Sequence, residues 1–407
     1  MSEDIAVTGI GLVTPGGIGT EETWRAVCAG RATARTDPLL ADAGAPVRLS
    51  CRVPPQERVR GRLWRFDPAT RFLLTAAREA LASARLDPAE WTPGRVAVVV
   101  GTAAGGIGTL ETQHRKLLTS GPGALSPMTL PAFLPNMAAG QLALELGSTG
   151  PSLQTSTACA SGTTAIITAC LLLRAGACDI AVAGGTDAMV TPLCASAFAK
   201  MGALSRRERD PGGASRPFDL DRDGFVLGEG CGVLILERAD HAAARSVRPT
   251  ALLAGYGATG DAHHPTAPHP EGAGLRAATG EALARAGRTP GEVDHINAHG
   301  TSTALNDAVE ATAIRKLYGC GGGPSVTSAK GVLGHTMGAA GAIEAALTVL
   351  SIARATVPPT ANFTTPDDAT AGIDIVRTAA RPQRVRLALS HSLGFGGHNT
   401  VLALTGV

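Results

Sequence analysis

Six short runs of Val, Ile, Leu and Ala, several closed by glycine, recur along the chain at 5–8, 96–101, 179–184, 233–236, 295–298 and 387–390. Apolar runs of this length, without polar alternation, read as strands covered on both faces. Alanine-rich stretches of helical length lie between them at 75–84, 163–174, 274–286 and 339–354. Strands buried on both faces need helices on both sides, so the alternation predicts a layered α/β fold.

Fifty-one glycines stand against three Trp, two Tyr and eight Phe. This balance implies close backbone packing and aliphatic rather than aromatic cores. A net charge of +2 excludes the strongly basic surface of a nucleic-acid binder. The N-terminus lacks a basic segment followed by an apolar one, so no secretory leader is expected and the chain is placed in the cytoplasm. The longest apolar run, 165–173, ends at Arg174 and falls short of the roughly 18 residues of a membrane span. Eight cysteines occur singly, without a CxxC pair, and most read as small buried side chains. A strand, a Gly/Ser/Thr-rich segment and a small-residue helix occur at 155–165 and again at 328–343, which suggests a duplicated unit. The polar stretch 239–250 is the expected join, dividing the chain into 1–245 and 246–407. Two Pro-rich stretches, 120–135 and 263–271, read as extended loops.

Four segments carry reactive side chains. Ser156-Thr-Ala-Cys159-Ala-Ser-Gly162 places a thiol at a helix entry, where free N–H groups and the helix dipole favour a thiolate. A structural cysteine would occupy the same position. Asn297-Ala-His299-Gly-Thr301-Ser-Thr303 puts an imidazole at the carboxyl end of a strand, where open α/β sheets keep their sites, although an ordinary turn histidine also fits. Lys330, one of only four lysines, precedes His335 and a helix containing Glu344. A buried ammonium and a buried carboxylate are both costly alone, so Lys330 and Glu344 read as partners. In Gly394-Phe395-Gly396-Gly397 the glycines permit close backbone approach to a substrate.

Two other patterns are rejected. Gly9-Ile-Gly11 lacks the third glycine of a dinucleotide fingerprint, and Pro15 stands where the helix should begin. Asp219, Asp221 and Asp223 open a calcium-loop pattern whose twelfth position is Gly230, with Glu229 one place early. Those carboxylates are expected to hold a turn or to pair with Arg206, Arg216 or Arg222. No metal site is expected.

Taken together and in order, the four segments resemble those of the β-ketoacyl-acyl-carrier-protein synthases of the thiolase superfamily, in particular synthase II and type II polyketide ketosynthase subunits. Arg216-Pro-Phe-Asp and 222–230 match further stretches of that family, and the likeness spans almost the whole chain. The resemblance implies a five-layered α-β-α-β-α fold from a duplicated βαβαβαββ unit, and an intimate dimer. It implies that 1–245 is a thiolase-like half carrying the nucleophile Cys159, and 246–407 one carrying His299, His335 and Lys330. It further implies that the N–H groups of Cys159 and Phe395 form an oxyanion hole, with Gly394, Gly396 and Gly397 in a gate. Lys330 and Glu344 become a supporting network, and Thr301 and Thr303 bind phosphopantetheine. That arm belongs to the carrier protein, so no resident cofactor is expected. The reaction implied is decarboxylative condensation of a malonyl-carrier with a Cys-bound acyl chain.

Within the superfamily, a degradative thiolase would want a second cysteine after Cys320, synthase III would pair Cys-His-Asn, and a chain-length factor would lack Cys159. A Cys-His hydrolase leaves the second histidine and Lys330 unexplained. A non-catalytic thiolase-fold scaffold is a distant alternative. The expected acyl pocket contains Ala104 and Thr129, where bulkier residues are common, which suggests long or stiff chains of a polyketide or polyene. Fatty-acid elongation by a housekeeping synthase II is the alternative. Arg58, Arg60, Arg62, Arg65, Arg206, Arg207 and Arg209 are candidates for docking an acidic acyl carrier protein. The dimer partner is either a second copy or a chain-length factor.

Overall fold

The computed structural model describes residues 4–55 and 66–407, so the docking candidates Arg58, Arg60, Arg62 and Arg65 lie outside the described residues. Its main elements fall into two series. The first runs β1 (Ile5–Thr14), α1 (Pro68–Ala84), β2 (Val96–Gly101), α2 (Met137–Leu146), β3 (Ser152–Thr155), α3 (Ser161–Arg174), β4 (Ile180–Asp187) and β5 (Gly230–Arg238). The second runs β6 (Ala251–Gly260), α4 (Ala273–Arg285), β7 (His295–Asn297), α5 (Ala304–Tyr318), β8 (Ser325–Thr327), α6 (Ala340–Arg354), β9 (Leu387–Gly394) and β10 (His398–Thr405). Both series read βαβαβαββ.

The pairing repeats as closely as the order does. In the first series the spatial order is β3-β2-β4-β5-β1, and in the second β8-β7-β9-β10-β6. Each begins with two parallel ladders and continues with two antiparallel ones. The halves join where β1 meets β6 antiparallel, Ile5 opposite Leu253 and Val7 opposite Ala251.

Helices α3 and α6 form the middle layer. Ile166 and Leu173 of α3 pack with Ile343 and Leu347 of α6, between Leu234 of one half-sheet and Leu402 of the other. Leu73 and Leu81 of α1 and Leu142 of α2 cover the outer face of the first half, against Val98 and Val233. Leu275 and Leu283 of α4 and Ile314 of α5 cover the second, against Ile296 and Leu389. The result is the five-layered thiolase-like fold.

Local sequence explains the element ends. Pro68 opens α1 behind Asp67, whose carboxylate accepts from the Ala69 N–H at 3.0 Å, and Arg85 closes it in a left-handed conformation. β1 continues to Thr14, beyond the expected 5–8, because Gly9 and Gly11 lie within the strand rather than at its end. The stretch 120–135 is less extended than expected, since it holds a short helix, Thr129–Phe133. By length and composition Met337–Arg354 could cross a membrane, although Glu344 interrupts its apolar run; 83% of it is buried inside the fold.

Two glycines bring the middle helices together. A Cβ at Gly162 would sit 2.8 Å from Ala342 N, and one at Gly341 would sit 2.1 Å from Thr163 Oγ1. The first turns of α3 and α6 therefore cross in contact, which places the segments preceding both helices side by side.

Candidate active site

Those segments, with the loop after β7 and the turn between β9 and β10, surround a cavity of about 610 Å³. Cys159, His299 and His335 all line it, as do Thr301, Thr303 and Phe395.

Cys159 stands just ahead of α3, in a tight turn where Ala158 has φ +51°. The turn is held by the Ser161 hydroxyl, which donates to Ala158 O at 2.6 Å and accepts from the Thr157 N–H at 3.0 Å. Gly394 passes directly over it, since a Cβ there would lie 2.4 Å from Thr157 O. This close approach lets the Phe395 N–H donate toward the Cys159 sulfur. The thiol opens onto the cavity and is otherwise enclosed by protein. Burial pushes it up to about 12, against the opposing influence of Lys330. The sequence expectation of a resting thiolate is thus corrected, because desolvation outweighs the cation.

His299 follows β7. The Lys330 ammonium donates to its carbonyl oxygen at 2.6 Å, lies 3.4 Å from its Nδ1, and pairs with Glu344. All of Lys330, Glu344 and His299 are buried. An ammonium facing Nδ1 requires a lone pair there, so the hydrogen-bond pattern assigns the N–H to Nε2. Burial, then Lys330 and His335, holds His299 well below the usual imidazole range. Burial and Lys330 do the same to His335. The two rings meet edge to face at 5.4 Å, and Phe225 packs edge-on against His335 at 5.3 Å. Two neutral imidazoles therefore face the cavity. Burial raises the Glu344 carboxyl to about 7.

Sequence reasoning misses the residues that hold the histidine loop. Glu310 of α5 accepts the N–H groups of His299 and Gly300, both at 2.8 Å. Asp307, one turn earlier, accepts those of Thr301 at 2.9 Å and Ser302 at 3.0 Å. Four consecutive amides are thus captured by two buried carboxylates, and burial raises Asp307 to about 6. His391 approaches Glu310 through Nδ1 at 3.2 Å. The available signal is two acids three residues apart in the helix that follows the histidine run.

Thr301 and Thr303 place their hydroxyls 3.0 Å apart, and that of Thr303 also caps α5 by accepting from the Asn306 N–H at 3.2 Å. Gly394 and Gly397 line the cavity, while Gly396 turns away to donate to Pro265 O at 2.7 Å. The loop 263–271 thus closes one side through Thr266, Ala267 and Pro268. Of the two expected pocket residues, Ala104 does not line the cavity, and Thr129, whose position is expected to reach across a dimer, is not among the lining residues of this single chain. Ala103 lines it in place of Ala104, and both alanines pack against the same apolar cluster. Thr129 directs its hydroxyl to Ser126 O at 2.6 Å. Arg206 and Arg209 are exposed, and Arg207 is half-buried, in the segment continuing from the lining residues Met201 and Ala203. Asp219 holds a turn, accepting from the Thr364 N–H at 2.7 Å and pairing with Arg216 at 3.0 Å.

Cys51, Cys170, Cys178, Cys194 and Cys231 are buried, Cys28 and Cys159 are intermediate, and Cys320 is exposed.

Residues 2–242 match the model of the beta-ketoacyl synthase N-terminal domain, and residues 250–364 that of the C-terminal domain. The chain is 40% identical to 3-oxoacyl-[acyl-carrier-protein] synthase 2 of Synechocystis sp. over 404 residues, 98% of this chain and 97% of that protein. Its structure resembles the ishigamide ketosynthase/chain length factor with a TM-score of 0.92 and 33% identity, covering 99% of each chain. It also resembles a type II polyketide ketosynthase bound to the hexaketide, in complex with its acyl-carrier protein, with a TM-score of 0.90, 32% identity and 99% coverage of each chain. The protein belongs to the beta-ketoacyl synthase family.

Proposed function

We propose that this enzyme condenses a Cys159-bound acyl group with a malonyl-carrier thioester, releasing CO₂ and a 3-oxoacyl-carrier product. The observation that carries the assignment of roles is the single cavity shared by Cys159, His299 and His335, with Lys330 behind His299. The resting thiol is protonated, so transacylation begins with passage of its proton to a neutral imidazole. The sulfur attacks the carrier-bound acyl carbonyl, and the N–H groups of Cys159 and Phe395 stabilise the oxyanion. The carrier thiol leaves and takes the proton.

Malonyl thioester then occupies the cavity, its phosphopantetheine arm along Thr301 and Thr303. Loss of CO₂ leaves an enolate, whose oxygen accepts hydrogen bonds from the Nε2–H of His299 and from His335. Its carbon attacks the acyl-Cys159 carbonyl, the sulfur leaves as a thiolate, and it takes up one proton from solvent to regenerate the thiol. No step requires a resident cofactor or metal.

The partner is an acyl carrier protein, drawn to the mouth by Arg206, Arg207 and Arg209. A dimer is supported by β3, the sheet's terminal strand, which leaves Leu153 41% exposed, with Leu144 at 75% on the adjoining α2. An edge of this kind calls for cover, either by a second copy or by a chain-length factor. We place the enzyme in the cytoplasm and in polyketide or polyene elongation, on the small Ala103 wall and the polyketide structural relatives; fatty-acid elongation is favoured by the synthase 2 relative. Mass spectrometry of carrier-bound products, with and without a chain-length-factor subunit, tests both readings. Failure of wild type to form any 3-oxoacyl product from acyl- and malonyl-carriers would sink them.

A further inference from the structure

The last residue of β4 is a carboxylate that the chemistry above does not use. Asp187 is fully buried, at 0% exposure. It accepts from the Thr102 hydroxyl at 2.7 Å and from the N–H groups of Ala103 at 2.9 Å, Ala104 at 3.4 Å and Gly338 at 2.7 Å. Burial raises its carboxyl to about 6. One side chain thus ties the loop after β2, the end of β4 and the turn into α6, joining both halves of the molecule.

Each tied segment contributes an apolar side chain to the cavity that holds Cys159: Ala103, Met189 and Met337. Met337 has φ +53°, a backbone conformation that residues with a Cβ adopt only under constraint. The Gly338 N–H held by Asp187 belongs to the next residue, so the hydrogen bond supplies that constraint.

We propose that Asp187 is a positioning residue for chain-length selectivity: by clasping these three segments it fixes the wall along which the acyl chain on Cys159 lies. The inference rests on Cys159 as the acyl-bearing residue. An acetyl group ends close to the sulfur, whereas the methylenes of a long chain run against Ala103, Met189 and Met337. Loosening the clasp therefore penalises long chains more than short ones.

The test measures loading of Cys159 in the full-length enzyme by acetyl-, octanoyl- and dodecanoyl-pantetheine thioesters, read by intact-mass spectrometry. Asp187→Ala lowers the dodecanoyl-to-acetyl rate ratio about tenfold, the scale of a lost buried hydrogen bond. Asp187→Asn, whose amide oxygen can still face the Ala103 and Gly338 N–H groups, recovers most of that ratio. Thr102→Val removes one hydroxyl donor and shifts the ratio in the same direction by less, which keeps the test decisive where the alanine variant does not fold. An unchanged ratio in the variants that fold, or an equal loss at every chain length, overturns the proposal. Should wild type load no acyl group at Cys159, the reading of that thiol fails and this inference with it.

Discussion

The Lys330 ammonium donates to the carbonyl oxygen of His299 at 2.6 Å while lying 3.4 Å from Nδ1 of the same residue. One cation thereby grips both the peptide and the ring of the imidazole proposed to stabilise the enolate, with Glu344 as its counter-charge. Lys330→Ala leaves that carboxylate buried and unpaired, which costs about 3–5 kcal/mol of stability. Malonyl decarboxylation falls about a hundredfold or more as His299 loses its orientation. Calorimetry and a CO₂-release assay measure the two effects, and Lys330→Ala/Glu344→Gln regains stability without regaining rate.

Cys159→Ala abolishes the acyl-enzyme and condensation, because no other thiol lines the cavity among the described residues. Malonyl decarboxylation survives, since it draws on His299 and His335. Intact-mass spectra with an acyl thioester, run beside a CO₂-release assay, separate the two activities; loss of both would contradict the division of labour.

Gly394→Ala drives a methyl against Thr157 O, 2.4 Å from where its Cβ must stand. The Phe395 N–H is then displaced from the sulfur, and the rate of acyl transfer drops about a hundredfold, as expected for loss of one oxyanion donor. Carrier binding changes little, so the loss appears in kcat rather than KM.

Burial raises the Cys159 thiol to about 12. A raised acid pKa means fewer thiolates at any pH below it, so alkylation of Cys159 by iodoacetamide climbs steadily through pH 9. A free thiol, titrating at about 8.5, is already about three-quarters ionised there and flattens by about pH 10. Peptide mapping after timed labelling resolves this residue, and a plateau by about pH 10 would refute the protonated resting state.

Ala103 rather than Ala104 faces the cavity. Ala103→Ile consequently shortens the longest product while sparing the first condensation, and Ala104→Ile acts more weakly, through packing alone. Product lengths by mass spectrometry rank the two, and a stronger effect at Ala104 would reverse the assignment.

The sheet strands that read clearly in the sequence are those covered by helices on both faces, such as Val96–Gly101 with all residues buried. β6 and β10 escape because only four apolar residues of each are consecutive, the rest being broken by glycine, threonine or asparagine, although β6 makes the join with β1 and β10 links β6 to β9. Cys159, His299 and Lys330 stand out because each follows or precedes a recognisable element. Asp307 and Glu310 do not, since acids early in a helix usually face solvent; only the folding back of 299–302 over α5 reveals that they are 0% exposed. Asp187 is hidden for a related reason: its donors lie 85 and 151 residues away in sequence.

The crossing of α3 and α6 at Gly162 and Gly341 means that Cys159, His299 and His335 meet on ground owned by neither repeat. Were the two repeats parted, each would lose the apolar contacts its innermost helix makes with the other, and the thiol would part company with its imidazoles. Chemistry and cohesion in this molecule therefore share a dependency, the tolerance of glycines such as these for having no side chain.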